Sequence, residues 1–586
     1  MSRRTIFGLG ALTAAAALTL AACGGSSSNG GSSAKAVYGQ GITSVVAPSN
    51  HTGGTITFES SSTPDSTDYD NTYYAHMWNF VRLYSMQLMT YKSCPGDCGN
   101  TLVPQLATGP GVVTDNGLTW TYHIKPNVHF ENGDVVTSKD VKYGIERSFA
   151  KDVLPNGPNY YSLLLVGGDK YPGPYKDTNG LASIATPDAT TIQFHLTAPF
   201  SDFDYVVAIP QSTPVEQSWD TGQYGGANFQ LHPESTGPYE FQSYTLNKQF
   251  TLVKNPHWNA ATDTEAKQLV NKIVVNLNVS QNQIDNNLVS NFAQVDLAGT
   301  GVQTAAVRAK LISNPTDHAN ADNPINGFGR FVYINEKVIP DVHCREAIEY
   351  AANKTTLQNA WGGPLVGGAI ASTVMPPSVS GYQQFDLYNA VSQPSGDTTA
   401  AKAQLAQCKM AGASPTGFST GLAYRSDRPQ ETAAAQALQA SLAQVGIKVT
   451  LSGFTSGKYY TDFAGDPAYV HAHGLGLDMG GWGPDWPDGY GFLDYLTNGA
   501  TISAAGNTNI AEVNDSTVNG LFAQAAKGTI SSNVAIWPQI DKAVMQQAAI
   551  LPMVYQKVLL YRNPNLTNVY VDKAFGMYNY AVLGLK

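Results

Sequence analysis

Segments with the pattern of β-strands alternate with segments that have the pattern of α-helices along most of this chain. Residues 118–125 alternate between side chains that can face a core and side chains that can face water, and Pro126 ends the run. Val141, Ile145 and Phe149 then recur at the spacing of one apolar helix face. No repeat of about 20–50 residues is visible, which argues against a solenoid or a propeller. The alternation therefore predicts an α/β protein.

The length of the chain predicts more than one domain. A chain of 586 residues exceeds the size at which single hydrophobic cores stop growing, about 250–300 residues, so we expect two or three domains. The 34 Lys and Arg residues against 44 Asp and Glu residues give a net charge of −10, and the sequence has no basic stripe. Nucleic acid is therefore not expected as a partner.

The N-terminus has the pattern of an export signal. Arg3 and Arg4 precede an uncharged apolar run over residues 6–20, which is too short for a comfortable membrane span. The run ends in Leu-Ala-Ala-Cys23, which resembles the lipobox of bacterial lipoproteins. We therefore predict a lipoprotein signal peptide over residues 1–22, and Cys23 as the lipidated residue that anchors the mature chain to the outer face of the cell membrane. The alternative is an ordinary signal peptide followed by an incidental cysteine.

A flexible tether is predicted after the lipidated cysteine. Residues 24–34 are all Gly, Ser, Asn or Ala, a composition that cannot bury enough apolar surface to fold. We assign residues 23–49 to the lipidated cysteine and its tether. The folded body would then stay at the membrane and move freely above it.

The cysteines predict disulfide bonds. Cysteine occurs five times, and beyond Cys23 the positions are Cys94, Cys98, Cys344 and Cys408; four cysteines allow three pairings. A Pro-Gly turn separates Cys94 from Cys98, which favours a short loop-closing disulfide between them and leaves Cys344 to pair with Cys408. A structural zinc site would need a second close pair of ligands near Cys344 or Cys408, and the sequence has none there. We expect disulfides and no metal, in keeping with an oxidising location.

Several short blocks of this sequence resemble, in the same order, the motifs of one protein family. They include Ser-Thr-Gly-Pro-Tyr-Glu-Phe and Gly-Trp-Gly-Pro-Asp-Trp-Pro-Asp, and the set lies at residues 119–134, 136–141, 146–147, 235–241, 254–258, 341–351 and 481–488. The family is the peptide/nickel-type, or family 5, solute-binding proteins of bacterial ABC importers. Two features depart from its pattern: the cysteine pairs, and Gly489, which stands where a proline often follows the acidic residue.

The resemblance implies an α/β fold of the type II periplasmic-binding-protein kind. Two α/β lobes would be joined by a hinge around a ligand cleft, with an extra domain inserted in the first lobe. The hinge would lie at the crossings near residues 325 and 555. The implied boundaries are 50–80, 209–325 and 556–586 for lobe I, 81–208 for the inserted domain and 326–555 for lobe II.

The segment from Gly481 to Asp488 is the candidate ligand site. Asp485 lies between a proline and Trp486, where a carboxylate can be held in a partly dry aromatic surrounding. Such an anion is costly unless a cation pairs with it, and the α-ammonium of a peptide is such a cation. Family members that bind peptides use an aspartate of this segment for that contact, and Asp485 matches it. Trp482 and Trp486 would wall the site, which begins at Gly481. The alternative is that both tryptophans are core residues and Asp485 caps a turn.

Arg425 is the candidate partner for the other end of a peptide. Counted back from the Gly446-Ile447 turn, it lines up with an arginine that binds the carboxylate of dipeptides in similar proteins. Arginine offers a carboxylate two parallel hydrogen bonds and a permanent charge. The alternative is an exposed loop arginine. No arginine directly precedes Trp482, where some oligopeptide binders carry one, so the length of the ligand stays open.

A search for catalytic motifs yields little. Ser419 lies in a G-x-S-x-G pattern, but a strand-like segment follows it, whereas a nucleophile elbow needs a strand before it and a helix after it. His471 and His473 could be two metal ligands, but no third ligand is near them in sequence. We therefore expect no enzyme activity and no cofactor.

The sequence thus predicts a lipid-anchored binding protein. It would capture peptides outside the cell, pass them to the membrane subunits of an ABC permease and act as a monomer. One alternative keeps the transport role but changes the ligand to an oligosaccharide or another small solute. The others are a surface or signalling lipoprotein without a transport role, and a secreted hydrolase that uses Ser419.

Overall fold

The computed structural model describes residues 36–586 of the chain. The predicted signal peptide, residues 1–22, and the predicted lipidation site Cys23 lie outside the described residues, so both stay predictions. Within residues 36–586, no helix is long and apolar enough to cross a bilayer.

The predicted tether reaches residue 49, and here the structure differs from the prediction. Residues 37–49 are folded, with a short helix over Gln40–Thr43. Val46 then forms an antiparallel β-bridge with Val569, whose amide donates back to the carbonyl of Val46 at 3.0 Å. Backbone groups of this segment therefore have partners in the folded body, which a freely moving tether would lack.

A five-stranded mixed sheet organises one part of the body. Its strand Thr55–Glu59 pairs in parallel with both neighbours, and the other pairs are antiparallel. Ile56 and Phe58 are buried on this strand, and Phe58 packs edge-on against Phe80 of the helix Ala75–Val81. In order across the sheet the strands are Val295–Asp296, Thr55–Glu59, Lys272–Asn276, Gln249–Lys254 and Tyr239–Thr245.

A six-stranded mixed sheet organises a second part. Phe331 and Tyr333 pack into one apolar cluster, whereas Val332 and Ile334 of the same strand pack into another. Because successive side chains of a strand point to opposite faces, both faces of this sheet are covered. In order, the strands are Ala369–Ile370, Ile550–Lys557, Ile325–Ile334, Leu475–Trp482, Ser419–Arg425 and Lys448–Phe454.

A four-stranded antiparallel sheet shares no strand with these two. Its strands are, in order, Val112–Thr114, Thr119–His123, Thr191–His195 and Ile184–Asp188. The helix Ser138–Arg147 packs beside it and begins with a capping box, in which Asp140 accepts from the Thr137 amide at 2.7 Å. This cap agrees with the sequence pattern, since the Asp140 side chain satisfies a backbone N–H that the helix cannot.

Helices connect the strands of all three sheets. Those of seven or more residues are Ala75–Val81, Ser138–Arg147, Gln281–Val289, Ala305–Ser313, Val342–Ala351, Lys354–Ala360, Thr398–Leu405, Pro429–Ala443, Pro467–His473, Tyr490–Thr497, Ser516–Ala526 and Trp537–Gln546. Shorter helices include Tyr160–Leu164, Phe203–Val206, Gln217–Asp220, Pro315–Ala319, Gly363–Val366 and Ile530–Asn533. Two-stranded sheets pair Met89–Tyr91 with Leu102–Pro104, Ala321–Asp322 with Leu560–Tyr561, Leu566–Thr567 with Gly584–Leu585, and Val571–Asp572 with Met577–Tyr578. The architecture is α/β, as predicted.

Arg147 holds three segments together in the interior. Its guanidinium lies within 2.8 Å of Asp68 and within 3.2 Å of Asp220, and it also pairs with Asp70. The ring of Phe229 stacks on it at 4.0 Å. Burial and charge repulsion among the carboxylates raise the pKa of Asp70 well above its usual value. A buried cation with several carboxylates fixes the geometry of its surroundings, because removing one partner leaves an unpaired charge.

Both predicted disulfides are present, joining Cys94 to Cys98 and Cys344 to Cys408. Cys344 is buried in the helix Val342–Ala351. The helix Thr398–Leu405 ends before Cys408, so Cys408 follows its last turn. The Cys344–Cys408 bond therefore links the helix Val342–Ala351, on one face of the six-stranded sheet, to the segment that follows the helix Thr398–Leu405.

The chain enters and leaves the six-stranded sheet at neighbouring points. Ile325 begins one strand and pairs with Lys557, the last residue of the strand Ile550–Lys557. The two crossings between this sheet and the rest of the body therefore lie side by side.

Candidate functional site

A cavity of about 710 Å³ lies next to these crossings. Its lining combines residues that lie before and after the six-stranded sheet with residues from the strands and connections of that sheet. Its charged lining residues are Arg308, Arg330, Arg428, Glu431, Asp485 and Lys557, and its aromatic ones are Tyr73, Tyr74, His76, Trp78, Tyr91, Phe328, Trp361 and Phe575. The site therefore combines aromatic walls with charges of both signs, which suits a ligand that carries charges of both signs itself.

Asp485 is a half-buried carboxylate on the lining of this cavity. The hydroxyl of Tyr73 donates to its Oδ2 atom at 2.9 Å, and the hydroxyl of Tyr160 donates to the same atom. Within residues 36–586, no donor reaches its Oδ1 atom and no Lys, Arg or His forms an ion pair with it. Burial raises the pKa of Asp485 to about 6, against the two tyrosine hydrogen bonds, which lower it. The group is thus an anion at neutral pH with one oxygen free to accept a hydrogen bond from a ligand.

Trp486 lies in the core and is not among the residues that line the cavity. Its Nε1 atom donates to Asp202 at 2.8 Å, and its ring stacks on Tyr205 at 6.1 Å and contacts Tyr160 at 5.0 Å. The predicted role as a wall therefore does not fit its position. The indole instead anchors the loop, because a buried ring with its N–H satisfied fixes the residue next to it, Asp485.

Trp482 and Gly481 lie behind the lining, at the end of the strand Leu475–Trp482. Trp482 is half-buried beside Tyr495, with ring centres 6.1 Å apart. Gly481 pairs with Arg330 of the adjacent strand, and a Cβ atom there would come within 2.8 Å of the Arg330 Cδ atom. Gly481 thus acts on the site through the room that it leaves for the Arg330 side chain.

Arg425 is already paired inside the protein. Its Nε atom donates to Glu431 Oε2 at 2.9 Å, its Nη2 atom donates to the other oxygen, and its backbone amide donates to Oε2 at 3.1 Å. The side chain is buried and is not part of the cavity lining, whereas Glu431 is. The predicted carboxylate-binding role does not fit this geometry, because Glu431 already takes the Nε–Nη2 edge of the guanidinium and the side chain does not line the cavity.

Arg330 is the lining residue that the sequence analysis missed. It belongs to the strand Ile325–Ile334, and its Nε atom donates to Gln556 at 2.8 Å. Its guanidinium lies 5.0 Å from the Phe328 ring centre and 5.4 Å from that of Trp361. Burial lowers its pKa to about 10, so the group stays charged at neutral pH. The sequence held no signal for it, because Gln556 and Trp361 come from distant segments.

The two weaker motifs do not form sites. Ser419 is exposed and begins the strand Ser419–Arg425, so the order that an esterase-type elbow requires is reversed. His471 and His473 lie on the helix Pro467–His473, and His471 approaches Glu512 at 2.5 Å. In the described part of the chain, no group of three or more His, Cys, Asp and Glu residues could hold a metal ion.

Comparison with known proteins places these features in one family. The family profile described as "Bacterial extracellular solute-binding proteins, family 5 Middle" matches residues 101–504. The probable D,D-dipeptide-binding periplasmic protein of Escherichia coli (strain K12) is 24% identical over 498 residues, 83% of this chain and 85% of that protein. The glutathione-binding protein of Escherichia coli O6:K15:H31 (strain 536 / UPEC) is 24% identical over 473 residues, 78% of this chain and 82% of that protein.

A solved structure gives a closer likeness. Clavulanic acid biosynthesis oligopeptide binding protein 2 is 38% identical, with a TM-score of 0.88 over 94% of this chain and 99% of that one. The match therefore extends over most of this chain.

Proposed function

The chain belongs to the family 5 extracellular solute-binding proteins of bacteria, and on this premise we propose that it captures peptides outside the cell and delivers them to an ABC permease. The predicted fold class, α/β with two lobes of the type II periplasmic-binding-protein kind, is confirmed by this membership. The prediction that the chain is not an enzyme is confirmed as well, because the matched proteins are binding proteins.

The unpaired carboxylate of Asp485 is the observation that carries the proposal. It faces a cavity, accepts two hydrogen bonds from tyrosines and has no cation beside it in the described residues. A peptide α-ammonium would supply the missing positive charge and donate to the free Oδ1 atom. The relatives named for oligopeptides, D,D-dipeptides and glutathione all bind ligands that carry amide bonds and charged ends, which supports a peptide here.

Closure of two lobes on the ligand is part of the proposal. We keep lobe I at 50–80, 209–325 and 556–586, the inserted domain at 81–208 and lobe II at 326–555. Asp485 would then approach the ligand from lobe II, and Tyr73 from lobe I. A ligand that contacts both sides binds the closed state better and shifts the population toward it. The paired crossings at Ile325 and Lys557 are the natural hinge, since few residues there need to change conformation.

Calorimetry with a library of short peptides tests the ligand assignment. We expect binding by the native protein and a loss of about 1.5–3 kcal/mol on Asp485→Asn, the scale of a lost charged hydrogen bond. Asp169→Asn is the matched control, because Asp169 is exposed and does not line the cavity. If no peptide binds but an oligosaccharide or another small solute does, the peptide assignment is wrong and only the transport role is left.

The membrane anchor and the permease are tested separately in cells. We propose that Cys23 carries the lipid and that the protein works as a monomer at the outer face of the membrane. Cys23→Ala should release the protein into the medium and abolish labelling with a radioactive fatty acid. Deletion of the protein should abolish peptide uptake; unchanged uptake would favour a surface or signalling role instead.

A further inference from the structure

We propose that Arg330 binds a carboxylate group of the ligand, a role that rests on the proposed capture of peptides. The residue would recognise the carboxylate through the free edge of its guanidinium, opposite in charge to Asp485 in the same cavity.

The orientation of Arg330 is fixed from behind. Its strand neighbour Gly481 leaves space that a Cβ atom would fill, at 2.8 Å from Arg330 Cδ and 2.9 Å from its Nη1 atom. The Nε atom is held by Gln556 at 2.8 Å. A side chain that is positioned in advance loses less entropy when a ligand arrives.

Two aromatic rings lie close to the guanidinium, whereas its terminal donors have no hydrogen-bond partner in the described part of the chain. Phe328 and Trp361 each lie within cation–π distance, at 5.0 and 5.4 Å. Among residues 36–586, no acceptor takes a hydrogen bond from either Nη atom of Arg330, and no Asp or Glu pairs with it. Because a carboxylate binds arginine in the plane of the guanidinium with two parallel hydrogen bonds, this arrangement leaves the preferred approach open.

The electrostatics agree with the geometry. Burial lowers the pKa of Arg330 to about 10, although the charge of Glu431 acts in the opposite direction. Arg425 differs in this respect, because its pKa is raised and Glu431 hydrogen-bonds to it. A ligand carboxylate would do for Arg330 what Glu431 does for Arg425.

The other cations of the cavity are less suited to this role. Arg308 donates from Nη1 to the carbonyl of Gln303 at 2.6 Å. Arg428 is exposed and donates from Nε to Ser456 at 3.2 Å, so solvent screens its charge. Lys557 has a single charged nitrogen and cannot form the two parallel hydrogen bonds of a guanidinium.

Arg330 and Asp485 lie within reach of one small ligand. A Cβ atom on Gly327, three residues before Arg330, would meet Pro484 at 3.4 Å, so the strand of Arg330 runs beside the loop of Asp485. Three residues of strand span about 10 Å. An extended peptide of two to four residues covers a comparable distance between its charged ends.

Matched peptides and an Arg330→Gln variant test the proposal. The first pair of ligands is one peptide with a free C-terminal carboxylate and with a C-terminal amide; the second exchanges Glu for Gln in its side chain. In one of the two pairs, we expect the native protein to bind the carboxylate form about tenfold or more tightly than the neutral form, the scale of a lost charged hydrogen bond. Arg330→Gln should erase that preference and leave binding of the neutral form nearly unchanged. Lys527→Gln is the control and should keep that preference, because Lys527 is exposed and does not line the cavity.

Each outcome of this experiment either supports or overturns the proposal. Loss of the acid-over-amide preference identifies the C-terminal carboxylate, and loss of the Glu-over-Gln preference identifies a side chain; both support the proposal. Undiminished preferences in Arg330→Gln overturn it while peptide capture stands, whereas no peptide binding by native protein overturns both. Should Arg330→Gln not fold, Arg330→Lys keeps the charge but loses the paired hydrogen bonds. A preference as large as that of native protein in Arg330→Lys would likewise overturn the proposal.

Discussion

The hydroxyl of Tyr73 donates a 2.9 Å hydrogen bond to the carboxylate of Asp485, across 412 residues of sequence. Tyr73 precedes the helix Ala75–Val81, and Asp485 follows the strand Leu475–Trp482. The contact therefore joins two sides of the cavity through the group proposed to bind the ligand. Tyr73 keeps 40% of its surface exposed, so a ligand can pack against the same ring that orients the carboxylate.

Tyr73→Phe should weaken peptide binding and raise the pKa of Asp485. The hydrogen bond from Tyr73 lowers that pKa, so its removal makes the anion harder to form in a half-buried place. We expect a loss of several-fold at pH 7 and a larger loss at pH 6, measured by calorimetry. Tyr74→Phe is the control, because Tyr74 also lines the cavity but donates no hydrogen bond to Asp485. Equal losses of peptide affinity in both variants would show that Tyr73 does not act through the carboxylate of Asp485.

Peptide affinity should fall as the pH is lowered through about 6. The pKa of Asp485 is raised to about 6 by burial, so below that pH the ligand's ammonium meets a neutral acid. Affinity should then drop by up to about tenfold per pH unit, while the peptide ammonium stays protonated. Asp485→Asn should bind weakly and show no such dependence between pH 5 and 7. A native profile that stays flat over this range would contradict the assignment.

Arg425 should matter for stability more than for ligand choice. Arg425→Gln leaves the Glu431 carboxylate without its guanidinium partner, and breaking a buried pair costs about 3–5 kcal/mol. Denaturant unfolding should show this loss, while the relative affinities for dipeptides and longer peptides stay the same. Arg428→Gln, at an exposed position, should change the free energy of unfolding little. A selective loss of dipeptide binding would restore the role that the sequence suggests for Arg425.

Local features of the fold could be predicted from the sequence. The strand predicted at residues 118–125 is found at Thr119–His123, and Val141 and Ile145 of the predicted apolar helix face lie on the helix Ser138–Arg147. The disulfide pairing could be predicted because one pair is close in sequence. These predictions succeed because the interacting groups are neighbours along the chain, or because few pairings are possible.

The site depends on contacts that periodicity does not encode. Arg330 faces Gly481 across an antiparallel pair, and no local pattern links positions so far apart. The direction of Trp486 into the core depends on Asp202 from another segment. A loop rich in tryptophan therefore indicates where the site is. It does not indicate which side chains line the site. The Asp485 assignment itself stays a prediction.

The two disulfides should differ in their effect on stability. Cys344 and Cys408 are 64 residues apart, whereas Cys94 and Cys98 are 4 apart. Because the entropy lost by the unfolded chain grows with loop length, removal of the longer bond by Cys344→Ala with Cys408→Ala should cost about 4 kcal/mol, and removal of the shorter about 2 kcal/mol. Thermal unfolding of both double variants checks this order, and the reverse order would contradict it.

Asp478 should make the protein less stable as the pH rises. It is fully buried in the strand Leu475–Trp482, and neither carboxylate oxygen has a hydrogen-bond partner in the described residues. Burial raises its pKa well above the usual value, so the folded protein holds a proton that the unfolded chain releases above about pH 4. Because the folded state binds more protons, this residue lowers the free energy of unfolding by about 1.4 kcal/mol per pH unit, from about pH 4 up to its folded pKa.

Asp478→Asn removes this titration and should reveal it. Near pH 4 the variant and the native protein should unfold at similar urea concentrations, since both then carry a neutral side chain of the same shape. At pH 7 the variant should be the more stable, with a difference that grows steadily between the two pH values. Asp462→Asn is the control, because the pKa of Asp462 is shifted in the opposite direction. Asp462 is exposed, and hydrogen bonds from Thr461 and Lys458 lower its pKa. A constant difference between Asp478→Asn and native protein at every pH would show that Asp478 is ionised in the folded state.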